Sequence, residues 1–208
     1  MGDMAKFLSA AGRRTVARLF NPLAARLVKW GISPNTVTVL GTVGVVAGSV
    51  LLVTRGELGW GLVVITVAVL TDLLDGAMAR MKNDTSRFGA LLDSTMDRLA
   101  DGAILGSLAF WLAVTEDYTT MVGVGVALIA GQTVSYVKAR AEGLGFACDV
   151  GIAERAERLV ILGVGGLLYV FSVPYGLPVA VWVLAAVSVF TVFQRLLHVR
   201  SQTNGTSV

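Results

Sequence analysis

The chain has 208 residues, 55% of them hydrophobic and 15% charged, and its mean hydropathy is +0.74. A soluble domain of this size carries about 25% charged residues, so the composition excludes an ordinary water-soluble fold and points to one integral membrane domain. The net charge is +3, and the single cysteine, Cys148, excludes an internal disulfide.

In residues 1–30, Phe7, Leu8, Ala11, Leu19, Leu23 and Leu27 recur at helical spacing among Arg13, Arg14, Arg18 and Arg26, with Pro22 interrupting. This pattern predicts an amphipathic helix lying in the membrane interface, held by anionic lipid, rather than a span. The segment lacks a compact apolar core followed by a small-residue cleavage site, so no cleavable signal peptide is expected. Residues 31–200 form the membrane domain, an all-α fold with six predicted spans at 34–54, 59–81, 88–115, 118–141, 156–173 and 176–198. Each approaches the ~20 residues that cross ~30 Å of hydrocarbon. Ser33-Pro34 reads as an N-cap with proline at the first helical position. Gly41, Gly44 and Gly48 allow close helix contact. Residues 201–208 are polar and expected to be disordered.

Charge orients the spans. The turns at 55–58 and 116–117 contain Arg55, Glu57, Glu116 and Asp117. The opposite side holds the N-terminal Lys6, Arg13, Arg14, Arg18, Arg26 and Lys29, then Arg80, Lys82, Arg87, Lys138, Arg140, Arg155, Arg158, Arg195 and Arg200. The positive-inside rule places that side, and both termini, in the cytosol of a multi-pass cell-membrane protein.

The second and third spans carry Asp72, Asp75, Asp93 and Asp97 at helical spacing in apolar surroundings. Each carboxylate in hydrocarbon costs about 2.5–3.5 kcal/mol even on lenient scales, so the group requires compensation. Counted from the helix ends at ~1.5 Å per residue, Asp75 and Asp93 lie about 8 Å below the cytosolic surface. Asp72 and Asp97 then lie one turn deeper on matching faces. Hard oxygen ligands in this number suit Mg²⁺ or Mn²⁺, and a pair of ions could activate an attacking oxygen and stabilise a leaving phosphate. Gly76, Ala77, Ala79, Gly89 and Ala90 clear space for a nucleotide diphosphate, and Arg80 offers a bidentate cation for phosphate.

The pattern Asp72-x-x-Asp75-Gly76-x-x-Ala79-Arg80, eight residues, Gly89-x-x-x-Asp93-x-x-x-Asp97 resembles the signature of the CDP-alcohol phosphotransferases at every defined position. The resemblance implies metal binding by all four aspartates, with Asp97 also the general base. It further implies homodimers, a cytosol-facing site and CDP-diacylglycerol as donor. Pro34-Asn35-x-x-Thr38 resembles a segment lining the CDP site in that family, which implies nucleotide contacts for Asn35 and Thr38, and Ser86 matches another nucleotide-contacting position. Asp101 continues the row beyond Asp97 but lies outside the signature.

Lys138, Arg155, Arg158 and Arg195 stand at the cytosolic ends of the later spans. They would either anchor helices to headgroups or form a pocket for an anionic acceptor; Glu154 and Glu157 compete for Arg155. The stretches 135–142 and 154–159 resemble those of bacterial phosphatidylinositol phosphate synthases, a branch of the same family. That resemblance implies phosphatidyl transfer to inositol 1-phosphate with release of CMP, and no nucleic-acid partner. Glycerol 3-phosphate is the nearest rival acceptor. A cation transporter would also use intramembrane carboxylates, but near mid-membrane. A prenyltransferase does not suit the Gly-x-x-Ala-Arg insert.

Overall fold

The computed structural model of the protein describes residues 20–82 and 86–205, with the side chains of Asp72, Lys82 and Asn204 outside that description. The described residues are helical and contain no strand. Helix α1 is described over 20–29, followed by α2 (Pro34–Leu51), a 3-10 turn (Val53–Arg55), α3 (Leu58–Lys82) and α4 (Arg87–Val114). Then come α5 (Tyr118–Gly143), α6 (Arg155–Val170) and α7 (Gly176–Gly205).

The helices begin where local chemistry predicts. Ser33 Oγ accepts the Thr36 backbone N–H at 3.1 Å, capping α2, and Pro34 at its first position loses nothing by lacking an N–H. Asp117 caps α5 by accepting from the Thr120 N–H at 3.0 Å. The turn between α2 and α3 closes on Gly56, whose φ of 80° favours glycine, and a Cβ there would lie 2.9 Å from Trp111 Nε1.

The chain forms two compact units. One comprises the described residues up to Ala47 together with Val63–Ala100; the other comprises Gly48–Leu62 and the described residues from Asp101 onward. In the first, Phe20, Ala24, Leu27 and Val28 of α1 pack against Val37 of α2 and Leu74, Ala77 and Met78 of α3. The described part of the predicted interfacial helix is therefore tied to this core through its apolar face, while residues 1–19 lie outside the description. In the second unit, α7 packs against both α5 and α6. Gly165 makes the α6 contact possible, since a Cβ there would stand 2.5 Å from the Ala180 methyl.

Among the described residues, four helical segments are long and apolar enough to cross a membrane: Pro34–Arg55, Leu58–Met81, Tyr118–Gly143 and Gly176–Thr203. They account for four of the six expected spans. The other two expected spans correspond to α4 and α6. Helix α4 has ample length at 28 residues, but Arg87, Asp93, Asp97, Arg98 and Asp101 interrupt its apolar character. Helix α6 has 16 residues, which span about 24 Å at 1.5 Å each, and its first turn holds Arg155, Glu157 and Arg158. Helix α7 continues to Gly205, so 201–205 are helical where the polar composition predicts a disordered tail. Residues 206–208 lie outside the described structure.

Candidate functional site

The start of α2 places Asn35 and Thr38 one turn apart, directly after the Ser33 cap. The Thr38 hydroxyl lies 2.5 Å from Asp75 Oδ2 and 3.2 Å from the Pro34 carbonyl. It has one proton, and the shorter, charge-assisted contact to the carboxylate takes it. Asp75 is only 7% exposed, so this donated hydrogen bond offsets part of the cost of holding a carboxylate there. On the facing helix, Ser86 Oγ accepts the Gly89 N–H at 3.0 Å and caps α4. A Cβ at Gly89 would approach Ser86 Oγ at 3.0 Å and Asn35 Oδ1 at 3.3 Å, so glycine lets the cap and the Asn35 amide meet.

These residues surround a cavity of about 400 Å³ within the first unit. Its lining includes Asn35, Thr38, Asp75, Gly76, Ser86 and Asp93, all singled out from the sequence. Arg87 also lines it, a cation that the sequence reading used only to orient the spans. Arg80 is exposed and folds back over the glycine of its own helix: its Nη1 lies 3.5 Å from where a Gly76 Cβ would stand.

Asp93 is exposed and shares this cavity with Asp75. Asp97 follows one turn further along α4, half-buried, with Oδ2 3.9 Å from Arg98 Nη2. Asp72 precedes Asp75 by one turn on α3; its side chain lies outside the description. Among the described residues no group of three or more His, Cys, Asp or Glu side chains is placed to hold a metal ion. The two described carboxylates on the cavity wall are hard oxygen donors, which fit Mg²⁺ or Mn²⁺ in chemistry.

Thr38→Val, nearly isosteric, removes the donor to Asp75 and leaves a buried carboxylate oxygen without it. The expected cost is about 1–3 kcal/mol of stability, read as a lower unfolding temperature in detergent. An unchanged unfolding temperature would show that this hydrogen bond contributes nothing measurable.

A second set of cations lies within the second unit. Lys138 Nζ donates to Asp149 Oδ1 at 2.9 Å and lies 3.8 Å from Glu142. That hydrogen bond, reinforced by the ammonium charge, holds the exposed Asp149 carboxyl below the usual carboxylate range. Arg155 Nε and Arg158 Nη2 both approach Asp101, at 3.4 and 2.9 Å. Arg158 Nη1 also donates to the Ala153 carbonyl at 3.2 Å. Arg195 is 3% exposed and donates to the Val150 carbonyl at 2.7 Å, the Val134 carbonyl at 2.7 Å and Glu154 at 3.3 Å. All four predicted cations thus belong to one unit, joined through α5, the 144–154 loop, α6 and α7. The carboxylate shared by Arg155 and Arg158, Asp101, was not assigned to this group from the sequence; its one signal was its place in the aspartate row of α4.

A model of the CDP-alcohol phosphatidyltransferase family matches residues 31–193. The phosphatidylinositol phosphate synthase of Streptomyces avermitilis is 47% identical over 204 residues, covering 94% of this chain and 83% of that protein. A crystal structure of Mycobacterium tuberculosis phosphatidylinositol phosphate synthase with CDP-DAG bound superposes with a TM-score of 0.84 at 42% identity, covering 88% of this chain and 94% of that one. A crystal structure of the same M. tuberculosis enzyme with manganese and citrate gives a TM-score of 0.83 at 42% identity, covering 87% and 88%.

Proposed function

The chain belongs to the CDP-alcohol phosphatidyltransferase family, and from that membership we propose that it transfers the phosphatidyl group of CDP-diacylglycerol to inositol 1-phosphate, giving phosphatidylinositol phosphate and CMP. The observation that carries the reading is the gathering of Asn35, Thr38, Asp75, Gly76, Ser86 and Asp93 around one cavity. A nucleotide diphosphate there would meet the polar side chains of Asn35 and Ser86, while Gly76 and Gly89 leave room beside the backbone. Arg80 and Arg87 supply cations for its phosphates.

Asp72, Asp75, Asp93 and Asp97 are the residues that would hold two divalent ions, Mg²⁺ or Mn²⁺. When bound, such ions would neutralise pyrophosphate charge and stabilise the departing CMP oxygen. Thr38 keeps the Asp75 carboxylate oriented through its donated hydrogen bond. Asp97 takes the proton of the acceptor hydroxyl as its oxygen bonds to the phosphorus bearing the diacylglycerol, and the bond from that phosphorus to the CMP oxygen breaks. The direct displacement needs no covalent enzyme intermediate.

The acceptor phosphate is read by the cationic wall. Lys138 and Arg155, with side chains 35% and 20% exposed, are its accessible members. Arg195, held by two carbonyls and Glu154, and Arg158, held by Asp101 and the Ala153 carbonyl, add positive charge from buried positions. Helices α4 and α6 complete a six-span bundle once their polar ends face the cytosolic interface. The excess of Lys and Arg at those ends supports a cytosol-facing site and cytosolic termini in a cell-membrane protein. Two copies associate as a homodimer.

The test is CMP release by the purified protein from CDP-diacylglycerol with Mg²⁺ or Mn²⁺, offered inositol 1-phosphate, glycerol 3-phosphate, inositol and serine in parallel. Release with inositol 1-phosphate in preference to the others is expected. Release with glycerol 3-phosphate alone would transfer the activity to phosphatidylglycerophosphate synthesis.

A further inference from the structure

Asp101 stands outside the family signature, yet it is 8% exposed and receives two arginines from the first turn of α6. Each oxygen meets one of them: Oδ2 accepts from Arg158 Nη2 at 2.9 Å and Oδ1 from Arg155 Nε at 3.4 Å. The two arginines differ in access. The Arg158 side chain is 8% exposed, its Nη1 is on the Ala153 carbonyl, and Gly131 lies so close that a Cβ there would be 3.4 Å from its Nε. Arg155 is 20% exposed and is met by Asp101 at the Nε edge, which sets the direction of the planar guanidinium beyond it. A flexible arginine loses rotamer freedom when it grips an anion; one already held by a buried carboxylate has lost it beforehand.

We propose that Asp101 is a positioning residue that pre-sets the Arg155 guanidinium for the acceptor phosphate. The inference rests on the reading that Arg155 contacts that phosphate. If Asp101 served only to neutralise Arg158, its loss would lower stability without singling out one substrate.

Steady-state kinetics on Asp101→Asn distinguish these roles. The KM for inositol 1-phosphate rises about tenfold, the loss of one charge-assisted hydrogen bond, while the KM for CDP-diacylglycerol and kcat stay within about twofold. Asp101→Glu keeps the charge that Arg158 needs but displaces the carboxylate; it raises the acceptor KM with an unchanged unfolding temperature, and it carries the test if the asparagine variant does not fold. Arg155→Ala raises the acceptor KM by itself, and adding Asp101→Asn to it has no further effect. An acceptor KM unmoved by Arg155→Ala would sink the reading of the cationic wall and this inference with it. If Arg155→Ala raises that KM but the Asp101 variants do not, or the two effects multiply, the inference alone is overturned.

Discussion

Asp97→Asn should lower CMP release from CDP-diacylglycerol and inositol 1-phosphate by about 10²–10⁴-fold, the usual contribution of a positioned general base. Asparagine preserves the size of the side chain and its capacity to accept a hydrogen bond, but it cannot take a proton from the acceptor hydroxyl. Asp97 is half-buried on α4, with Arg98 3.9 Å away as a weak ion pair. A half-exposed pair at that distance contributes little to folding, so its loss alone should cost less than about 1 kcal/mol of stability, read from the unfolding temperature. The combination of lost turnover and retained fold is what separates a chemical role from a structural one. Residual activity within tenfold of the parent would remove Asp97 as the base and move proton transfer to another group.

The aspartate rows of α3 and α4 were readable because helical periodicity alone stacks positions three and four apart, and of these residues Asp75 and Asp93 line one cavity. Ser33-Pro34 was legible for a similarly local reason: an N-cap is a short-range hydrogen bond, here Thr36 N–H to Ser33 Oγ. The Thr38–Asp75 hydrogen bond was not, because its partners are 37 residues apart and meet only when α2 and α3 pack. The expectation of six spans rested on apolar run length. It held for the four helices that each keep a long apolar stretch; α4 is broken by its own site residues, and α6 is shortened by the charges at its start. The sequence grouped Lys138, Arg155, Arg158 and Arg195 by charge and position, but their individual geometry depends on partners a sequence does not display. Arg195 shows this most clearly, since its two carbonyl partners lie 45 and 61 residues away.

Arg195→Met should therefore lower stability by about 3–5 kcal/mol, a loss in the upper tail for single substitutions. Methionine fills comparable volume but donates nothing. The carbonyls of Val134 and Val150, each bonded to Arg195 at 2.7 Å, would lose that donor in a site where the arginine is 3% exposed. Each polar group left unsatisfied on burial costs about 1–3 kcal/mol. The effect should spread along the α5–α6 loop, because α7 grips it at adjacent points. Thr191 Oγ1 accepts the Ala153 N–H at 3.2 Å, and Gly151, at φ 146°, fits so closely that a Cβ would lie 2.8 Å from Thr191 Cγ2. Freed from Arg195, the loop should exchange its amide hydrogens faster and become a protease target between Gly145 and Glu154. Arg195→Lys should recover little, since one ammonium on a flexible stem does not reproduce a planar fork reaching α5, the loop and Glu154 together. A methionine variant that unfolds at the parent temperature and resists proteolysis in this loop would show that the remaining contacts, Thr191 to Ala153 foremost, suffice to hold it.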